Sequence, residues 1–156
     1  MEKRPKAAAY IYGSKKYPNI RGRAIFNDVP EGTVVSVSVH GLPEFSRDNG
    51  KVIGPHGFHI HDGDSCEIGT LENPFPRAGE HFNPTNQPHG NHAGDFPVLF
   101  SNNGTAHMDF FTNRIKPWQI IGKTLVIHES PDDYRTEPSG DSGEKIACGV
   151  IRKFPE

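Results

Sequence analysis

The chain has 156 residues, a third of them apolar, with 17 Lys and Arg against 19 Asp and Glu, for a formal net charge of −2. This length fits a single core and predicts one domain over residues 1–156, and the near-neutral charge excludes the basic surface that nucleic-acid binding requires. No run of roughly 20 apolar residues is present to cross a bilayer as a helix, which sets a membrane partner aside.

Residues 1–6 include four charged side chains, and the apolar stretch that follows stops at Gly13, short of the h-region of a secretory leader, so a cytoplasmic protein is expected. The first candidate strand covers residues 8–12, and others follow at 22–26, 33–39, 57–61, 106–111, 119–128 and 145–151. Each is short, rich in β-branched or aromatic residues and bounded by turn residues, and no long helical periodicity competes. Asn27-Asp28 with Pro30-Glu31-Gly32, and Ser101-Asn102-Asn103-Gly104, predict hairpin connections. Val35, Val37 and Val39 share one strand face while Ser36, Ser38 and His40 share the other, so one side meets a core and the other meets water. The expected fold is all-β, an antiparallel sandwich or barrel. Two segments break the rhythm: residues 62–97, dense in Gly, Pro, Asn and His, and residues 129–144, rich in Ser, Gly and acids. Loops this long in a compact domain carry function.

Metal-ligating residue types concentrate in and beside those loops. His59 and His61, two apart on a candidate strand, project from one face. His81, His89, His92 and Asp95 fall within fifteen residues, and Gly90 and Gly94 permit tight turns among them. Three imidazoles and a carboxylate suit tetrahedral zinc with no open position. His128 ends the stretch 124–128, and an all-imidazole set of His59, His61 and His128 with one further nitrogen suits copper. His40, His56 and His107 have no such company and read as ordinary. Cys66 and Cys148 lack CxxC spacing and, on their own, read as free thiols of a reducing compartment. Asn103-Gly104-Thr105 is a formal glycosylation sequon, with no export signal to bring it into use.

Five segments, in order, resemble the signatures of the copper, zinc superoxide dismutase family: Gly57-Phe58-His59-Ile60-His61, His81-Phe82-Asn83-Pro84, His89 with His92-Ala93-Gly94-Asp95, Gly122-Lys123-Thr124-Leu125-Val126-Ile127-His128-Glu129, and Ala147-Cys148-Gly149-Val150-Ile151. The similarity runs from about residue 8 to residue 151. It implies an immunoglobulin-like Greek-key sandwich of eight strands with two long functional loops, and an antioxidant oxidoreductase that disproportionates superoxide to oxygen and hydrogen peroxide. It further implies copper on His59, His61, His81 and His128, and zinc on His81, His89, His92 and Asp95. His81 would bridge the metals as an imidazolate and carry a proton in catalysis. Asp132 matches the family's aspartate that accepts hydrogen bonds from two ligand histidines, His59 and His89. Cys66 and Cys148 fall where the family places its disulfide, which replaces the free-thiol reading. Superoxide anion as substrate, a homodimer and a copper chaperone as partners complete what the resemblance implies.

The chain departs from the family at Lys145, where an arginine is usual. Lysine keeps the charge that attracts an anion and loses the fixed guanidinium fork, which predicts slower anion capture. The competing expectation has Lys145 pointing outward and Arg135 supplying the charge. The loop after His128 is short, with only Ser139-Gly140 keeping the family's polar-glycine step, and the loop between His61 and His81 is long, as in bacterial members. A noncatalytic copper or zinc store on the same scaffold is the competing function. A purely structural zinc sandwich would leave His59, His61 and His128 without a role.

Overall fold

The computed structural model describes residues 3–155, at Asp48 by its backbone alone. Met1 and Glu2 of the charged start, and Glu156, lie outside the described residues. Nine strands form: β1 (Arg4–Gly13), β2 (Arg21–Val29), β3 (Gly32–His40), β4 (Ser46–Asp48), β5 (Lys51–Ile53), β6 (Phe58–His61), β7 (Ala106–Thr112), β8 (Thr124–His128) and β9 (Lys145–Lys153). Seven of them make one antiparallel sheet in the order β6-β8-β9-β1-β2-β3-β7, and β4 and β5 pair as a separate hairpin.

That order carries the Greek-key topology. The connections β3 to β6, β6 to β7 and β7 to β8 each cross from one end of the sheet order to the other, as they must when the sheet curls and brings its edges together over one core. Backbone bonds from Ile60 N–H to Gly94 O (2.9 Å), Phe96 N–H to Phe58 O (3.2 Å) and Leu99 N–H to His56 O (2.8 Å) lay the segment from Gly94 to Leu99 along the free side of β6.

The alternation expected in β3 is present: Val35, Val37 and Val39 are buried, and Ser38 and His40 are exposed. Their inner face packs with Phe26, Phe58, Ile60, Phe96, Leu125 and Ile127 in the main core. Phe96 stands between Phe58 and Phe110, with ring centroids 5.4 and 4.9 Å away. A second cluster of Phe75, Ala78 and Val126 surrounds Cys66 and Cys148, which are joined as a disulfide. The free-thiol expectation fails because the loop after β6 folds back over β9 and brings together two sulfurs that are 82 positions apart.

Three other expectations need correction. Among the described residues the strand count is nine, not eight, because the polar hairpin β4–β5 turns at Asn49-Gly50, with φ of 50° and 81° at those two residues. Positive φ at both central positions is the type I′ arrangement that Asn-Gly favours. The stretch 119–128 is a strand only from Thr124, since Pro117–Gln119 is a 3-10 turn and Gly122 has a φ of 87°. Asn27 and Asp28 belong to β2, and the connection to β3 is the two-residue turn Pro30-Glu31. Among the described residues no helix is long and apolar enough to cross a membrane.

Candidate metal centre

The sequence Phe58-His59-Ile60-His61 turns its two apolar side chains into the core and its two imidazoles to the opposite face, because side chains alternate along a strand. All four are nonetheless buried, since the loops of residues 62–97 and 129–144 cover that outer face. Isolated bridges pair His59 with Asp95 and His61 with His81, so the first loop presses its own ligands against β6. Across the sheet His59 sits opposite Val126 and His61 opposite Thr124. A shift of register between Ile127 and His128 then turns the end of β8, as a bulge does, and brings the His128 ring to a centroid distance of 5.3 Å from that of His61.

Among the described residues three groups of ligand-type residues result: His59, His61, His81 and His128; His81, His89, His92 and Asp95; and His59, His89 and Asp132. Within each group one donor atom per residue lies within 4.8 Å of the others. The first two groups are the sets that the sequence assigned to copper and zinc, and His81 is common to both.

Hydrogen bonds on the far nitrogen of each ring fix which nitrogen faces the centre. His61 Nδ1 lies 2.8 Å from Gly79 O and His128 Nδ1 lies 2.9 Å from Gly143 O, so both donate there and each presents an Nε2 lone pair inward. Those Nε2 atoms are 3.2 Å apart, a spacing at which two lone pairs repel unless a cation lies between them. His59 and His89 use their Nε2–H groups on Asp132, at 2.6 Å to Oδ2 and 2.8 Å to Oδ1. Their Nδ1 atoms are buried and have no hydrogen-bond partner among the described residues. His81 Nε2 is orphaned in the same way, while His81 Nδ1 lies 3.3 Å from His92 Nδ1 and 3.1 Å from Asp95 Oδ1. Buried imidazole nitrogens without partners are costly in a closed protein, and ions in both pockets would satisfy each of these three. The donor sets therefore fit two metals, one all-nitrogen and one with three nitrogens and an oxygen.

The electrostatics favour ligation. Burial, then the neighbouring rings His128 and His81, pulls His59 and His61 well below the ordinary histidine range. Burial likewise brings His128 down to about 4. These rings are neutral at physiological pH, as a metal ligand must be. For Asp95 burial alone would raise the pKa, but its bond to His81 and the nearby His89 and His92 outweigh it and hold the carboxylate low.

Gly140 is built into the site. It sits at φ 69°, and a Cβ added there would fall 1.8 Å from Asp132 Oδ1 and 2.6 Å from His89 Nε2. Only glycine allows the second loop to close over that hydrogen bond. Lys145 lies opposite His128 in the sheet and lines the cleft above the rings with His61, His81 and His128, and burial pulls its ammonium pKa down. Arg135, the competing source of charge, is not among the residues that line this cleft.

The family profile of copper/zinc superoxide dismutase matches residues 20–151. The chain belongs to this family. Similar copper/zinc superoxide dismutases include one from Deinococcus radiodurans, 37% identical over 150 aligned residues that cover 85% of this chain and 78% of the relative. One from Legionella pneumophila is 34% identical over 152, covering 92% and 85%, and one from Aquifex aeolicus is 33% identical over 146, covering 84% and 78%. Copper and zinc are accordingly the metals of this dismutase-family site, and the two donor sets match them.

Sequence reasoning missed two supports of the dismutase-family site. His56, read as ordinary, is fully buried with Nδ1 2.9 Å from the backbone oxygen of His128 and 3.1 Å from that of Glu129. Glu129, next to His128, is also fully buried; it accepts from Tyr17 Oη at 2.6 Å and Lys16 Nζ at 3.2 Å and pairs with Lys51. Burial alone would raise this carboxyl, but Lys51, Tyr17 and Lys16 together bring it down to about 2. A folded-state pKa below the unfolded one stabilises the fold above the unfolded value near 4.5, and that stability is lost as pH falls towards about 2. In metal-free protein, stability is therefore expected to fall more steeply between those pH values than it does in Glu129→Gln, as read by urea unfolding at a series of pH values. Parallel pH profiles would show that Glu129 contributes nothing to acid sensitivity.

Proposed function

We infer that the chain disproportionates superoxide to oxygen and hydrogen peroxide, with copper held by His59, His61, His81 and His128 and zinc by His81, His89, His92 and Asp95. The observation that carries the assignment is the pair of inward lone pairs on His61 and His128 beside the orphaned nitrogens of His59 and His81, an all-imidazole set of the kind copper takes. Copper bound there supplies the one-electron couple that oxidises one superoxide and reduces the next.

The chain's own residues do the rest. His81 turns Nδ1 to one set and Nε2 to the other, so Nε2 is the atom at which a proton can be held and passed to the product. Asp132 keeps His59 and His89 in single tautomers and ties the two sets together. The carbonyls of Gly79 and Gly143 orient His61 and His128. Lys145 offers an ammonium to the incoming anion, as a point charge and without the two-pronged geometry of an arginine. A homodimer and loading by a copper chaperone belong to the same reading, on the strength of the resemblance. Sedimentation at micromolar concentration tests the dimer, and a single-chain mass would reject it.

The function is tested by following pulse-generated superoxide in protein carrying one copper and one zinc per chain, against the zinc-only form. Copper-dependent decay is expected at a rate below the diffusional ceiling of about 10⁹ M⁻¹s⁻¹, and Lys145→Arg should raise it towards that ceiling. Decay equal to that of the zinc-only control, with copper bound, would make the chain a metal store.

A further inference from the structure

Tyr134 follows Asp132 by two residues and stands at a φ of 59°, in the left-handed region that side chains rarely enter. Such a backbone persists only where its surroundings hold it, and three sets of contacts do so here. The carboxylate of Asp133 accepts the backbone N–H groups of Arg135 and Thr136, each at 2.8 Å, and closes the turn that contains Tyr134. The Tyr134 N–H reaches Asp132 Oδ1 at 2.7 Å. The hydroxyl crosses to the first loop and donates to the backbone oxygen of Phe96 at 2.8 Å. Phe96 follows the ligand Asp95, and its own N–H donates to Phe58 O at 3.2 Å. The bonds therefore close on themselves, from the His59 ring to Asp132, to Tyr134, to Phe96 and back to Phe58, the neighbour of His59 on β6. Gly90 lets the two loops meet at this point, since a Cβ there would fall 2.5 Å from the Tyr134 backbone oxygen.

We propose that Tyr134 is a positioning residue of the metal centre: its hydroxyl latches the second loop to the segment of Asp95, and its N–H thereby keeps the Asp132 carboxylate aligned on both His59 and His89. The proposal rests on the assignment of zinc to His81, His89, His92 and Asp95, and not on superoxide turnover. The Tyr134 ring is 37% exposed, so Tyr134→Phe removes the latch and leaves the core as it is. Arg114 supplies the comparison. Its Nη1 lies 3.2 Å from the backbone oxygens of both Gly90 and His92, and the N–H groups of those two residues hold Asp95 Oδ2 at 2.8 and 3.0 Å. Arg114→Met therefore loosens Asp95 and leaves the bonds of Asp132 in place.

The experiment follows, by nitrogen NMR, the exchange with water of the Nε2 protons of His59 and His89, in metal-free protein and in protein carrying one zinc per chain. Competition with a chelator gives the zinc dissociation constant of the same samples. Each proton must part from Asp132 to exchange, so Tyr134→Phe is expected to speed both about tenfold, and to weaken zinc about 3–10-fold, the effect of one lost hydrogen bond. Arg114→Met should weaken zinc while the His59 proton stays within about twofold of its native rate. Unchanged exchange of His59 and His89 in Tyr134→Phe, or an unchanged zinc constant, would overturn the proposal. So would an Arg114→Met chain in which the His59 proton exchanges as fast as in Tyr134→Phe, because any loosening of the first loop would then suffice. Failure of the native chain to bind zinc would defeat the zinc assignment alone, and exchange in the metal-free proteins would still decide whether Tyr134 holds Asp132.

Discussion

Asp132→Asn is expected to lower copper affinity about 10–100-fold while zinc affinity changes by no more than a few-fold. The asymmetry follows from three donors that share one carboxylate. Asp132 Oδ1 accepts both from His89 Nε2, at 2.8 Å, and from the backbone N–H of Tyr134, at 2.7 Å, whereas Oδ2 accepts from His59 Nε2 alone, at 2.6 Å. An asparagine of the same shape keeps its one oxygen where two donors need it, at the Oδ1 position, and places its NH₂ against His59. Two N–H groups then face each other in a fully buried place, and relief requires His59 to move its proton to Nδ1, the nitrogen that should bind metal. Competition against a chelator, with copper and zinc read separately, measures both affinities, and near-ultraviolet dichroism checks that the fold is kept. An equal loss at the two sites would refute this orientation of the amide, and no loss at either would remove Asp132 from the site's support.

What the sequence made legible divides along physical lines. Patterns of period two were readable wherever one face of a strand meets the core: Val35, Val37 and Val39 in β3, and Phe58 with Ile60 against His59 with His61 in β6. The ligand groups were readable because metal ligation imposes residue type strongly and the loop ligands His89, His92 and Asp95 cluster in sequence. The segment 119–128 misled because Ile120 and Ile121 look like strand residues. Ile120 is fully buried from a turn that begins at Pro117, and Ile121 is 41% exposed. The proline and Gly122 were the available signals, and both are turn residues.

Interactions that depend on tertiary approach left no local trace. Glu129 finds Tyr17 and Lys16 at separations of 112 and 113 residues, and nothing in the neighbourhood of either lysine or tyrosine announces the pairing. His56 differs from His40 only in where the fold carries it: one lies against the backbone of the β8 terminus, and the other faces outward from β3. The grouping of four carboxylates around the cleft is of the same kind, since Glu72, Glu80, Glu137 and Glu144 come from two loops whose juxtaposition only the fold supplies.

Replacing both Cys66 and Cys148 with serine is expected to cost the metal-free protein about 4–5 kcal/mol, the chain-entropy value for a crosslink across 82 positions. For a domain of this size that corresponds to a fall in Tm of about 10–15 °C. Both half-cystines are buried, Cys148 wholly, among Phe75, Ala78 and Val126, so the serine hydroxyls would also enter an apolar cluster and add to the loss. The bond also acts on the site. The loop it anchors carries Gly79, whose carbonyl takes the Nδ1 proton of His61, and the hydroxyl of Tyr12 reaches the backbone oxygen of Cys66 at 2.5 Å to hold the same loop against β1. Freed of its tether, that loop should leave His61 less well oriented, so copper affinity falls along with Tm, while Asp95 and His92, beyond the anchored stretch, keep more of their zinc affinity. Scanning calorimetry of the metal-free proteins measures the first effect, and chelator competition measures the second. A Tm shift of under about 2 °C would mean that the covered hydrophobic cluster, and not the covalent link, holds this loop to the sheet.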